Sequence, residues 1–105
     1  MIDFIKRLFS STPAPDFNQL IQEGAVVLDV RTAAEYSTGH IKGSVNIPVD
    51  QLSRQLHRLP AKQQVIITCC ASGMRSASAR GLLHSKGYEK VFNAGSWYTL
   101  QQKMK

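Results

Sequence analysis

The stretch that most limits what this chain can become is Val65-Ile66-Ile67-Thr68-Cys69-Cys70-Ala71-Ser72-Gly73-Met74-Arg75-Ser76-Ala77. Val65 to Cys69 is a short, β-branched apolar run, which predicts a buried strand. Ser76 to Lys86 is rich in helix formers and predicts a helix. The turn between them begins with Cys70 and ends with Arg75. A strand that turns sharply into a helix aims the helix's free N–H groups at whatever sits in the turn. Cys70 sits there, and both the helix dipole and Arg75 would draw its thiol toward thiolate. A nucleophilic cysteine in an anion cradle is one reading of this turn. A buried structural cysteine at a strand end is the other.

The remaining segments repeat the strand-and-helix alternation. Asp16 is a good cap for a short helix over Phe17 to Glu23, which Gly24 ends. Ala25 to Asp29 is a continuous apolar run closed by an acid, hence a buried strand. Thr32-Ala33-Ala34-Glu35 has the capping-box pattern and opens a helix that stops at Gly39. Ser44 to Ile47 predicts a further strand, closed by Pro48. Asp50 then caps a helix with Leu52, Leu56 and Leu59 on one side and Pro60 beyond it. After the Cys70 turn and its helix, Lys90 to Asn93 predicts a last strand. A closing helix follows from Gly95, with Trp97 and Leu100 inward. Such alternation predicts an α/β domain with a mainly parallel sheet and helices on both faces.

A chain of 105 residues predicts one domain. Residues 16–105 hold the alternating pattern and are taken as that domain. Residues 1–15 precede it: Ile2, Phe4, Ile5, Leu8 and Phe9, with charges between, form an amphipathic pattern, and a Ser/Thr/Pro-rich linker follows. No apolar run approaches the roughly 18 residues of a membrane span, and no export signal is evident, so a cytoplasmic monomer is expected. The two cysteines are adjacent, which argues against a disulfide framework or a zinc site.

The net charge is +6 and uneven. Residues 1–50 hold six of the seven acids and four bases, whereas residues 51–105 hold nine bases and only Glu89. The bases are scattered and lack aromatic interleaving, which argues against nucleic-acid binding. A positive field that attracts small anions fits the asymmetry, as does a merely soluble basic surface.

In a parallel sheet, ligands bind beyond the carboxyl ends of the strands. Asp29-Val30-Arg31 and the Cys70 turn both fall there. Asp29 and Arg31 would either orient a substrate or pair with each other to fix a turn, and pairing is the simpler expectation.

Three motifs, in order, resemble those of rhodanese-like domains. The first is Leu28-Asp29-Val30-Arg31, then Glu35-Tyr36, then Gly39-His40-Ile41-Lys42-Gly43-Ser44-Val45-Asn46-Ile47-Pro48. The second, Cys70-Ala71-Ser72-Gly73-Met74-Arg75-Ser76, is similar to the family's active-site loop. The third, Ala94-Gly95-Ser96-Trp97, resembles its C-terminal glycine–tryptophan element, although paired glycines are more usual there. The resemblance implies a parallel sheet of about five strands flanked by helices. It also implies sulfurtransferase chemistry through a cysteine persulfide, with no cofactor or metal. Cys70 would be the nucleophile, taking sulfur from a small anionic donor such as thiosulfate and passing it to cyanide, a thiol or a protein. The loop amides of Ala71 to Ser76 would stabilise thiolate and bound anion. Gly73 would let the backbone curl. Arg75 would attract the donor or hold the loop in shape, and Ser72 and Met74 would tune which donor fits. His40 is expected to make a structural hydrogen bond, and His57 and His84 to lie on helix surfaces. Cys69 should point away from Cys70 as a buried filler, with a resolving thiol as the sharper alternative.

Two rival functions belong to the same resemblance. One is a phosphatase or arsenate reductase, but only four residues separate Cys70 from Arg75, which leaves a nest better sized for one sulfur than for a phosphate. The other is a non-catalytic binding module.

Overall fold

A computed structural model describes residues 15–104. The amphipathic segment read at Met1 to Phe9 lies outside the described residues.

Four strands form a single sheet among the described residues: β1 (Val26–Asp29), β2 (Val45–Asn46), β3 (Ile66–Cys70) and β4 (Val91–Ser96). Their order is β2-β1-β3-β4 and every pairing is parallel. This is the mainly parallel sheet that the alternation predicts, with four strands where the resemblance implies about five. The helices are α1 (Phe17–Gln22), α2 (Ala33–Thr38), α3 (Met74–Ser85) and α4 (Trp97–Lys103).

Strand alternation divides the core in two. Leu28, Ile66, Cys70 and Val91 face one side and pack with Ala79 and Leu83 of α3 and with Leu52. Val27, Ile67 and Cys69 face the other and pack with Phe17 of α1 and Leu100 of α4. The central strand β3 is buried along its whole length, as a strand covered on both faces must be.

Local chemistry sets the helix starts. Asp16 accepts the Gln19 amide hydrogen bond at the start of α1. At α2 the capping box forms in full: Thr32 Oγ1 accepts from Glu35 N at 3.2 Å, and Glu35 Oε1 accepts from Thr32 N at 3.1 Å.

Two segments differ from the sequence reading. The helix expected from Asp50 to Leu59 is a pair of 3-10 helices, Val49–Arg54 and Leu56–Arg58, broken at Gln55. Asp50 does not cap; Pro48 stands at that position without a side-chain bond. In a 3-10 helix residues three apart eclipse, so Val49 aligns with Leu52 and Leu56 with Leu59. The break at Gln55 supplies the extra residue between the pairs, and all four leucine and valine side chains still pack on the α3 face of the sheet.

The last strand is also longer than predicted, running to Ser96 through a register shift. Thr68 pairs with Asn93 but Cys69 pairs with Gly95, which leaves Ala94 as an extra residue. The bulge bends β4 across the end of β3, and Ser96 then caps α4 by accepting the Thr99 amide hydrogen bond at 3.2 Å.

Candidate active site

Cys70 ends β3 at the carboxyl edge of the sheet, and α3 begins four residues later. The turn needs Gly73 for two reasons. Its φ of 107° lies in the left-handed region, and a Cβ there would come within 3.2 Å of Gly95 Cα. The Cys70 turn and the β4 bulge therefore touch backbone to backbone.

Gly73 is the N-cap of α3 and has no side chain to cap with. The Cys70 sulfur does that job. Its Sγ accepts from Gly73 N at 3.0 Å and from Ser76 N, in the first turn of the helix, at 3.4 Å. Ser76 Oγ lies 3.3 Å from the same sulfur. A thiolate in this position receives charge-assisted hydrogen bonds from preorganised amides. Burial pushes the Cys70 thiol up. The Ser76 hydroxyl and the amides of Ser76, Gly73 and Ser72 outweigh that, and the net shift is downward. Cys70 itself is fully buried, while Ala71, Ser72 and Met74 around it are exposed.

Arg75 is placed otherwise than the turn alone suggests. Its guanidinium forms a two-pronged ion pair with Glu35, Nη1–Oε1 2.7 Å and Nη2–Oε2 2.9 Å. That bond, with the Thr32 amide behind it, holds the Glu35 carboxyl down at about 2. The charge of Arg75 is thus shared with α2; the main downward pull on the Cys70 thiol comes from Ser76 and the amides, and the Arg75 charge also interacts with Cys70 through space. Of the two roles open to Arg75, holding the loop is the one this geometry supports. Met74 projects into solvent at the mouth, 79% exposed.

Asp29 and Arg31 pair with each other. Arg31 Nη2 reaches Asp29 Oδ2 at 2.7 Å and Arg31 Nε reaches Oδ1 at 3.0 Å, both groups being buried. The guanidinium also donates to the Gly39 carbonyl at 2.8 Å and stacks 4.5 Å over Trp97. This pair ties the α2 segment to the start of α4. Asp29 is in register with Cys69, not Cys70, so the pair belongs to the opposite face of the sheet. His40 Nδ1–H donates to the Tyr36 carbonyl at 2.7 Å, and the His40 ring stacks on the Tyr36 ring. His57 and His84 are exposed. Among the described residues no cluster of side chains could hold a metal ion. Nor is any helix there long and apolar enough to cross a membrane.

Sequence reasoning missed Asn93. From the β4 bulge its Oδ1 accepts from Ser76 Oγ at 2.6 Å and from Gly95 N at 2.9 Å, while Nδ2 donates to the Gly73 carbonyl at 3.2 Å. It thereby braces the Cys70 turn from the neighbouring strand. The available signal was an amide side chain in a strand just ahead of Ala94-Gly95, where a bulge needs a local acceptor.

Comparison with known proteins agrees with this geometry. The rhodanese-like domain family matches residues 13–102. The thiosulfate sulfurtransferase PspE of Escherichia coli is 32% identical over 69 residues, 65% of this chain and 66% of that protein. A putative sulfur carrier protein of Bacillus subtilis, YrkF, is 35% identical over 71 residues, 68% of this chain but only 38% of the relative. Among solved structures, the human single-domain sulfurtransferase superposes with a TM-score of 0.76, with 28% identity over 90% of this chain and 99% of that one.

Proposed function

We propose, on the premise that this chain belongs to the rhodanese-like domain family, that its sulfurtransferase chemistry runs through a persulfide on Cys70. Residues 16–105 are the working domain in this reading, and residues 1–15 an appendage to it. The observation that carries the reading is the Cys70 sulfur itself, held at a strand end by the Gly73 and Ser76 amides. Such a sulfur needs no general base: the amides favour the thiolate before any substrate arrives.

The Cys70 thiolate attacks the sulfane sulfur of thiosulfate or a similar small anion. The new S–S bond forms as the bond to the sulfonate sulfur breaks, and sulfite leaves with the electron pair. The persulfide's outer sulfur is then attacked by cyanide, a thiol or a protein thiolate, and the Cys70 thiolate is the leaving group. Electrons balance in each half, and the scheme is ping-pong. The loop amides of Ser72, Gly73 and Ser76 stabilise the negative sulfur in both halves. Because Cys70 is fully buried, the donor must enter as the loop yields, which favours a small anion over a bulky one. The commitment of Arg75 to Glu35 leaves the cradle to backbone donors, an arrangement suited to one sulfur and poor for a phosphate dianion.

The test is an intact-mass spectrum after incubation with thiosulfate. Wild type should gain one sulfur, which a reducing agent removes, and Cys70→Ser should gain none. No adduct with any sulfane donor would point to a binding module. Hydrolysis of an aryl phosphate that disappears in Cys70→Ser would point to a phosphatase.

A further inference from the structure

Behind the Cys70 cradle lies a second hydrogen-bonded layer that the transfer of sulfur does not itself call for. Ser76 is fully buried. Its hydroxyl lies 2.6 Å from Asn93 Oδ1, 3.1 Å from the Gly73 carbonyl and 3.3 Å from Cys70 Sγ. A hydroxyl has one proton to donate and two lone pairs. The Gly73 carbonyl can only accept. So can Asn93 Oδ1, whose orientation is fixed by the Gly95 amide on the oxygen side and the Gly73 carbonyl on the nitrogen side. Three acceptors therefore claim one proton, and the shortest contact is to Asn93.

While Cys70 is a thiol, this arrangement closes. The S–H donates to Ser76 Oγ and the Ser76 hydroxyl donates to Asn93. Once the sulfur is charged, the same hydroxyl turns a lone pair toward an anion unless it rotates. Rotation gives up the 2.6 Å bond but leaves Asn93 Oδ1 with the Gly95 amide.

We propose that Asn93 is a positioning residue of the Cys70 site: by competing for the Ser76 proton, it sets how readily Cys70 releases its own. The proposal rests on Cys70 being the nucleophile only in what that protonation is for. β4 brings no ionisable side chain to the site. The charged or titratable groups on the elements around Cys70 are Arg75, Arg80 and His84 of α3, Glu35 and Tyr36 of α2, the Asp29–Arg31 pair with neighbouring Cys69, Asp50, Arg54, His57 and Arg58 of the 3-10 segments, and Tyr88 of the same core cluster. None of them is altered in the variants below.

The readout is the ultraviolet absorbance of thiolate against pH in the full chain. Burial pushes the Cys69 thiol up to about 12, so a titration through the neutral range reads Cys70 alone. Asn93→Ala should release the hydroxyl to the sulfur and lower the midpoint by about half to one unit, a thiolate fraction roughly three- to tenfold larger at fixed pH below it. A residue that merely anchors the loop would act in the opposite sense, because a loosened turn loses its amide bonds. An unchanged or raised midpoint therefore overturns the proposal. In a Ser76→Ala background the Asn93→Ala shift should vanish, and a shift of full size there overturns it too. If Asn93→Ala does not fold, Asn93→Asp serves: it keeps the acceptor and adds charge. Its midpoint should rise, and rise less in the Ser76→Ala background; equal rises in both backgrounds contradict the proposal. Sulfur loading from thiosulfate, measured on the same samples, tests the transferase reading separately. Predicted midpoints without any loading would leave Asn93 in place and count against sulfur transfer.

Discussion

Cys69 and Cys70 are consecutive residues of one strand, both without exposed surface, yet their thiols are driven in opposite directions. Burial acts on each in the same sense, raising the pKa by disfavouring the charged form. Cys69 points into the Phe17–Ile67–Leu100 cluster, where burial and the Asp29 carboxylate push its thiol up and the opposing charge of Arg31 does not make up for them. Cys70 points to the other face at the strand's last position, where Gly73 and Ser76 turn their amides onto it. One step along a strand therefore changes an inert thiol into a poised one. The downward pull on Cys70 comes chiefly from the hydrogen-bond donors of Ser76, Gly73 and Ser72.

The largest effect should come from exchanging the two sulfurs one at a time. Cys70→Ser should lower sulfur transfer by roughly a thousandfold or more. Cys69→Ser should keep the activity and instead lose about 1–3 kcal/mol of stability, the cost of putting a more polar hydroxyl in place of the thiol in an apolar cluster. Steady-state rates and urea unfolding measure the two. Equal losses of activity would break the comparison and restore a chemical role to Cys69. The linkages also oppose each other. The Cys70 contribution to stability is present above the pKa of its unfolded thiol and is lost as pH falls through the folded value. The Cys69 contribution is full below the unfolded thiol value and is lost as pH rises toward about 12.

A smaller effect is expected from Gly73→Ala. The backbone there is left-handed and a Cβ would press on Gly95, so about 1–3 kcal/mol of stability should be lost. The shift of the Gly73 amide should also raise the Cys70 thiol, moving the pH–rate profile toward alkaline values. A destabilised variant with an unmoved profile would mean that the Ser76 contacts suffice alone.

The smallest effect should come from Glu35→Gln. The Arg75–Glu35 pair is about one-third exposed on each side, so its loss should cost about 1 kcal/mol or less. In the wild type the pair is present above the ordinary carboxyl range and is lost only as pH falls through about 2. If Arg75 chiefly holds the loop, Glu35→Gln and Arg75→Ala should lower thermal stability alike. If Arg75 chiefly attracts the donor, Arg75→Ala should raise KM for thiosulfate while Glu35→Gln lowers it. Steady-state kinetics with thiosulfate separates the two.

What could be read from the sequence follows how local each determinant is. The strand before Cys70, the helix after it, the Thr32–Glu35 capping box and the opposed directions of the two cysteines all depend on neighbours within a few residues. The parallel sheet follows from the alternation, because short connections leave few other topologies. The Asp29–Arg31 pair is likewise local, two residues apart. What was not legible depends on partners far along the chain. Arg75 stands near Cys70 in sequence, but a long side chain goes where its counter-charge is, and Glu35 is 40 residues away. Asn93 acts across a strand pairing whose bulge is fixed only once β3 and β4 are in register. The 3-10 break at Gln55 is a feature that an apolar spacing of three and four cannot distinguish from an ordinary helix.

The backbone contact between Gly73 and Gly95 also bears on the order in which the molecule is made. The turn that carries Cys70 leans on residues that leave the ribosome some twenty positions later. A nascent chain that ends before Asn93 has its thiol, its sheet centre and the sequence of its loop, but lacks the brace on Ser76 and the wall behind Gly73. The wall against which the Gly73 turn closes therefore forms only with the last strand, so the amide cradle around Cys70 takes its final geometry late in synthesis.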